Sequence, residues 1–289
     1  MQNNSTKNIK TIGINSSFYT QNLFPFYFNF FTKLGFQIVL PDKVDERGLN
    51  HEMSQLCYPM QLSLCTFQNL LDKNPDFIFS PAIFEMDAEK EEIQRLDFNC
   101  ACAFVTGEPF ILKQGFKEYD LTKKLISPSL NFSNGLEKEE KSFIKIANQL
   151  GINDNEKVKQ IYQEAVSIQN NFQNELYEIG KNFLQELEKN PDEFAIVLIG
   201  RSYNSFSNIA NKGIPKKIAS RKIPILPLDM IDIRSFENIP RMYWESGNRI
   251  LKVAEIVKNH PQFFAVYITN FSCAPDSIDR KSTRLNSSH

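Results

Sequence analysis

Histidine is nearly missing from this chain: there are three in 289 residues, and one of them, His289, is the last residue. With His51 and His260 remaining, a histidine-rich zinc site or a Ser-His-Asp triad has poor material. Neither GxxxxGK[ST] nor GxGxxG occurs, so ATP or dinucleotide binding through those phosphate loops is not expected. No apolar run approaches the roughly 20 residues of a membrane span, and the opening MQNNSTKNIK lacks the apolar centre of a signal peptide. The formal net charge is -1, with lysines and glutamates interspersed, which leaves no basic footprint for nucleic acid. Five cysteines, an odd number without a secretory signal, argue for reduced thiols over a disulfide framework. The expectation is a soluble, cytoplasmic protein that binds neither nucleic acid nor membrane.

What is present is an ordinary globular composition, 42% hydrophobic, at a length that fits one large domain or two ordinary ones. Phenylalanine is abundant, with 25 copies, and clusters in FPFYFNFF from Phe24 to Phe31. These rings read as filling for a core or a subunit interface.

Short apolar runs bounded by turn residues alternate with helical periodicity, the pattern of βαβ units and mostly parallel sheets. Thr11 to Ile14 reads as a strand, Leu23 to Leu34 as a helix stopped by Gly35, and Phe36 to Leu40 as a second strand. A helix from about Ser54 to Leu71, a strand from Asp76 to Ser80 and a fourth from Cys100 to Thr106 complete a first unit. Strand signals then fade. Asn153 to Glu156 has capping-box spacing, and Val158, Ile161, Ala165, Ile168, Phe172, Leu176, Ile179 and Phe183 predict one long amphipathic helix ending near Glu188. A second unit follows: a buried strand from Phe194 to Ile199, a helix near Gly213 to Ser220, and a strand from Ile223 to Leu226. It closes with a helix from about Gly247 to Lys258 and a strand from Phe263 to Thr269.

The fold class is therefore α/β: two lobes with parallel sheets joined by a helical segment. The expected division is a disordered N-terminus over 1–9, a first lobe over 10–112, a helical connector over 113–190 and a second lobe over 191–278. The last stretch, DRKSTRLNSSH from Asp279 to His289, is similar to the translation of a sequencing adapter and is set aside from fold reasoning.

Three cysteines stand at expected element ends: Cys57 in LCYPMQL at a helix N-terminus, Cys100 in FNCACAF beside a strand, and Cys273 in TNFSCAPDS after the last strand. Helix N-termini favour thiolates, and ligands in open parallel sheets sit beyond the carboxyl ends of strands. Three thiolates facing a cleft suit an iron-sulfur cluster or zinc, while buried inert cysteines are the competing reading. Arg201, in the loop Gly200 to Tyr203 after the buried strand, is either an anion holder or part of a surface turn. Asp276 is a candidate neighbour or ligand beside Cys273, or a helix cap.

The segments IGINSSFYTQNLFPFYFNFFTKLGFQIVL, LCYPMQL, DFIFSP, FNCACAF, IVLIGRSYN with NKGIP, RMYWESGNRIL and FFAVYITNFSCAPDS resemble the uncharacterised domain of the CoA-enzyme-activase-related family, from about Lys10 to Ile278. That domain is similar to subunits of 2-hydroxyacyl-CoA dehydratases and to double-cubane iron-sulfur proteins. The resemblance implies two Rossmann-like lobes holding a cluster, of 4Fe-4S or double-cubane type, between three cysteines. Cys57, Cys100 and Cys273 match the family's ligand positions; Cys65 and Cys102 do not, and are expected in the core. It further implies an ATP-hydrolysing activator as electron donor, a dehydratase-like subunit as partner and, as one option, a homodimer. Where the family reads NCP, SCGPDS and GRPY, this chain has Ala101, Ala274 and Ser202 at the differing positions. The expectation is an iron-sulfur redox module of an ATP-driven electron-transfer system. Its alternatives are a scaffold or regulatory subunit that docks an activator or dehydratase, and a zinc-thiolate structural site.

Overall fold

The computed structural model describes residues 9–87, 99–240, 242–270 and 272–277. The expected disordered N-terminus, apart from residue 9, and the adapter-like tail lie outside them.

The first lobe begins with β1 (Thr11–Ile14), α1 (Phe24–Lys33), β2 (Gln37–Val39), α2 (Tyr58–Asp72) and β3 (Phe77–Phe79). It continues through β4 (Ala82–Glu85), α3 (Ala103–Gly115), β5 (Leu125–Ile126), β6 (Ser129–Asn131) and α4 (Glu140–Gln149). The long α5 (Asn155–Glu188) leads into the second lobe, made of β7 (Ala195–Ile199), α6 (Ser202–Ser205), α7 (Ile214–Ala219), β8 (Ile225–Pro227), α8 (Glu245–Asn259) and β9 (Phe263–Tyr267). Every strand pairing within the sheets is parallel, in the orders β2-β1-β3-β5, β4-β6 and β8-β7-β9.

The two-stranded β4-β6 sheet continues the β3/β5 pair beyond a break. Pro81 and Pro128 follow Ser80 and Ser127 and carry no amide hydrogen, so the ladder is interrupted and resumes with Ala82 N donating to Pro128 O at 2.8 Å.

Three local expectations are corrected. The fourth strand of the first sheet is Leu125–Ile126, inside the stretch read as helical connector, whereas Cys100 to Thr106 is not a strand. Cys100 forms isolated bridges to Glu85 and Trp244, and Cys102 is already the N-cap of α3. The run ACAFV is apolar enough for either element, and the helix prevails because it extends through thirteen residues to Gly115. At the start of α5 the cap is Asp154, accepting from Lys157 N at 3.1 Å, one residue later than the Asn153 box.

The phenylalanine cluster is the first lobe's core. Phe26, Tyr27, Phe30 and Phe31 of α1 are fully buried, and their rings meet Phe79 and Phe143 edge-on at 4.9 to 5.0 Å. α5 joins both cores, burying Val158, Ile161, Ala165 and Val166 in the first and Leu187 in the second. Where it passes the 3-10 turn at Leu228–Met230, Gly180 admits close contact, since a Cβ there would lie 1.9 Å from Met230 O.

Candidate functional site

In each main sheet the strand order reverses beside the first strand, between β1 and β3 in one lobe and between β7 and β9 in the other. Crevices for ligands open at the carboxyl ends of strands flanking such a reversal. Here the two face each other. Phe18, just past β1, meets Tyr203, just past β7, edge-on at 5.1 Å. The Tyr19 hydroxyl donates to Glu245 Oε2 of α8 at 2.8 Å. Cys100 N donates to Tyr243 O at 2.9 Å, and Glu245 N to Cys100 O at 3.2 Å, stitching the first lobe to the head of α8.

Gly200 makes the turn out of β7 with φ +145, and a Cβ there would lie 2.1 Å from Ser205 Oγ and 2.4 Å from Ile268 O. Only glycine fits that conformation and that approach. The turn drives Arg201 inward: it is not part of a surface turn but is 3% exposed. Its Nε donates to Asp276 Oδ1 at 2.6 Å and its Nη1 to Ser246 Oγ. Asp276 also accepts from Thr269 Oγ1 at 2.5 Å, so its side chain serves the arginine rather than a helix end. Burial works against the Arg201 charge, but Tyr203, Asp276, Cys273 and Tyr19 together raise its pKa.

Around this pair the structure gathers cysteines from three element starts. Cys57 is the N-cap of α2, helped by Pro59 in the first turn; Cys102 is the N-cap of α3; Cys273 precedes the helical turn 274–277. Burial pushes the Cys57 thiol up, the Met60 amide opposes, and the negative charges of Cys102 and Asp276 add to the rise. Burial and then Asp276 push Cys273 up to about 12, against Arg201. Burial also raises the Tyr203 hydroxyl, opposed by Arg201 and reinforced by Cys102, Cys273 and Asp276.

Of the three cysteines expected as ligands, Cys57 and Cys273 thus border one site. The charge neighbour of Cys100 is instead Glu85, which adds to a rise caused first by burial. Cys102, expected in the core, is the cysteine of its segment that acts on Cys57 and Tyr203. Cys65 does sit in the core, 3% exposed, its thiol raised to about 11 by burial and then by Glu46 and Asp45. Sequence reasoning missed Cys102, Tyr19, Tyr203 and Glu245.

Among the described residues, no group of three or more His, Cys, Asp or Glu stands placed to hold a metal ion. Cys57, Cys102 and Cys273 are soft sulfur donors of the kind that suits iron-sulfur groups, and two of them head full helices whose amides favour negative charge, whereas burial favours the neutral thiol at Cys57 and Cys273.

A family model, the CoA enzyme activase uncharacterised domain (DUF2229), matches residues 11–231. The chain belongs to this family. Searches of curated proteins and of solved structures found no match. The matched part carries Cys57, Cys102, Arg201 and Tyr203, and α8, Cys273 and Asp276 lie beyond it. No helix among the described residues is long and apolar enough to cross a membrane.

Proposed function

We propose that this CoA enzyme activase domain is an iron-sulfur redox module of an ATP-driven electron-transfer system of the 2-hydroxyacyl-CoA dehydratase type. The observation that supports the reading is that Cys57, Cys102 and Cys273 each stand at the start of an element and act electrostatically on the groups around the Arg201–Asp276 ion pair, beside the Phe18–Tyr203 contact between the lobes. An iron-sulfur cluster held there would supply one-electron chemistry at a low potential. The protein's part is to present three thiolates and to exclude water with the Phe18 and Tyr203 rings, beside the Arg201–Asp276 ion pair. The electron donor is a separate ATP-hydrolysing activator and the acceptor a dehydratase-like subunit or its substrate. Five free thiols agree with a reducing, cytoplasmic setting.

The test is anaerobic reconstitution with iron and sulfide, followed by metal analysis and electron paramagnetic resonance of the reduced protein. Stoichiometric iron and sulfide, lost when Cys57, Cys102 and Cys273 are together replaced by alanine, support the reading. Folded protein that takes up neither leaves the scaffold alternative, in which the interlobe contacts serve only to present a docking surface.

A further inference from the structure

One stretch of the chain breaks the even mixing of charge. From residue 194 to 228 there is no Asp or Glu, against six basic residues: Arg201, Lys212, Lys216, Lys217, Arg221 and Lys222. Arg201 is used internally by Asp276, and Lys212 Nζ lies over the Tyr58 ring at 4.9 Å. The other four are exposed on α7 and its exit turn.

Lys216 and Ala219 of this helix form one wall of a cavity of about 570 Å³ at the carboxyl ends of β7 and β8. That volume falls within the range of small-molecule sites. The wall opposite is α5, where two members of its apolar stripe, Phe172 and Leu176, line the cavity; Phe172 remains 42% exposed although the stripe is buried in the core further up. Leu198, Phe206 and Pro227 complete the apolar lining. The acidic group on the cavity, Asp229, is already engaged, by Arg249 Nη2 at 2.9 Å and by Ser202 Oγ at 3.1 Å. Of the four exposed cations Lys216 lines the cavity, and the other three follow it within six residues of chain, so the site joins an apolar chamber to a basic stretch with its lining carboxylate neutralised.

We propose that this cavity binds an organic phosphate whose apolar or aromatic body enters between Phe172 and Phe206 while its phosphate stays at the mouth, held by Lys216 and its basic neighbours. The body recovers the roughly 25 cal/mol per Å² lost where apolar walls face water, and a multiply charged anion gains from several cations at once. The site is separate from the cysteines and does not depend on the redox reading.

The test is titration of the full chain with 1-naphthyl phosphate, 1-naphthol and inorganic phosphate, by calorimetry at low salt. The expected result is one-to-one binding of naphthyl phosphate at least tenfold tighter than either fragment. Ala219→Trp, which fills the chamber, and the pair Lys216→Gln with Lys217→Gln each weaken it tenfold or more. All three positions are exposed, so thermal melts should match the parent; if one variant fails to fold, the other carries the test. Naphthyl phosphate binding no tighter than inorganic phosphate, or unchanged by a folded Ala219→Trp, overturns the proposal.

Discussion

Arg201 and Asp276 form an ion pair at 2.6 Å with side chains only 2% and 1% exposed. Arg201 follows β7 and Asp276 lies in the helical turn after β9, so the pair joins the two sides of the second lobe's strand reversal. The pair makes the surrounding thiol region a place of fixed charge: Arg201 opposes the rise of the Cys273 thiol and Asp276 reinforces it.

Asp276→Ala is expected to destabilise the protein by about 3–5 kcal/mol, because it leaves a guanidinium buried without its counter-ion. Thermal or urea denaturation measures the loss. A variant within about 1 kcal/mol of the parent would mean that the loop after β9 does not hold this position in solution.

Gly200→Ala should cost about 2–4 kcal/mol, since the added Cβ meets Ser205 Oγ and Ile268 O at a φ that side chains avoid. Gly213→Ala is the comparison: φ is +73 there, but nothing lies within 4 Å of the new Cβ. Denaturation midpoints should place Gly200→Ala well below Gly213→Ala.

Glu108 gives a pH prediction. Burial raises its pKa above 4.5, against the nearby Ser17 side chain and hydrogen bonds from Ser63 and Asn15. The folded protein therefore keeps this proton longer than the unfolded chain, and the sign follows: the contribution of Glu108 to stability is fully present below pH 4.5 and is lost as pH rises from there through the folded pKa. Glu108→Gln, which cannot ionise, should gain on the parent between about pH 4.5 and 7. Melting curves over that interval check it; parallel curves would contradict it.

Phe143→Ala should cost about 3–5 kcal/mol, because the ring is fully buried and meets Phe26 and Phe30 at 4.9 and 5.0 Å. Chemical denaturation gives the value directly.

The parallel α/β architecture was legible because long-range patterns carried it. The α5 stripe repeats often enough to place its end at Glu188, and the run Ala195 to Ile199 is apolar on both faces. The helix at Cys57 was legible through the proline that follows. The start of α3 was not: Cys102 has no Ser, Thr, Asp or Asn to announce a cap, and the apolar run around it suits a strand equally well. β5 and β6, of two and three residues, are too short to show alternation, and they are fixed by pairing with distant partners. For the site, the resemblance points to Cys100, while the helix start at Cys102 stays hidden in the apolar run; Cys102 acts electrostatically on Cys57, and Glu85 on Cys100.

The most direct measurement is therefore a comparison of single substitutions. Cys57→Ala, Cys100→Ala, Cys102→Ala and Cys273→Ala are reconstituted anaerobically beside the parent, and iron and acid-labile sulfide are counted per folded chain. The account predicts that Cys100→Ala keeps the parent's content and that each of the other three loses most of it. Retention in Cys102→Ala with loss in Cys100→Ala, or no iron in the folded parent, would contradict it.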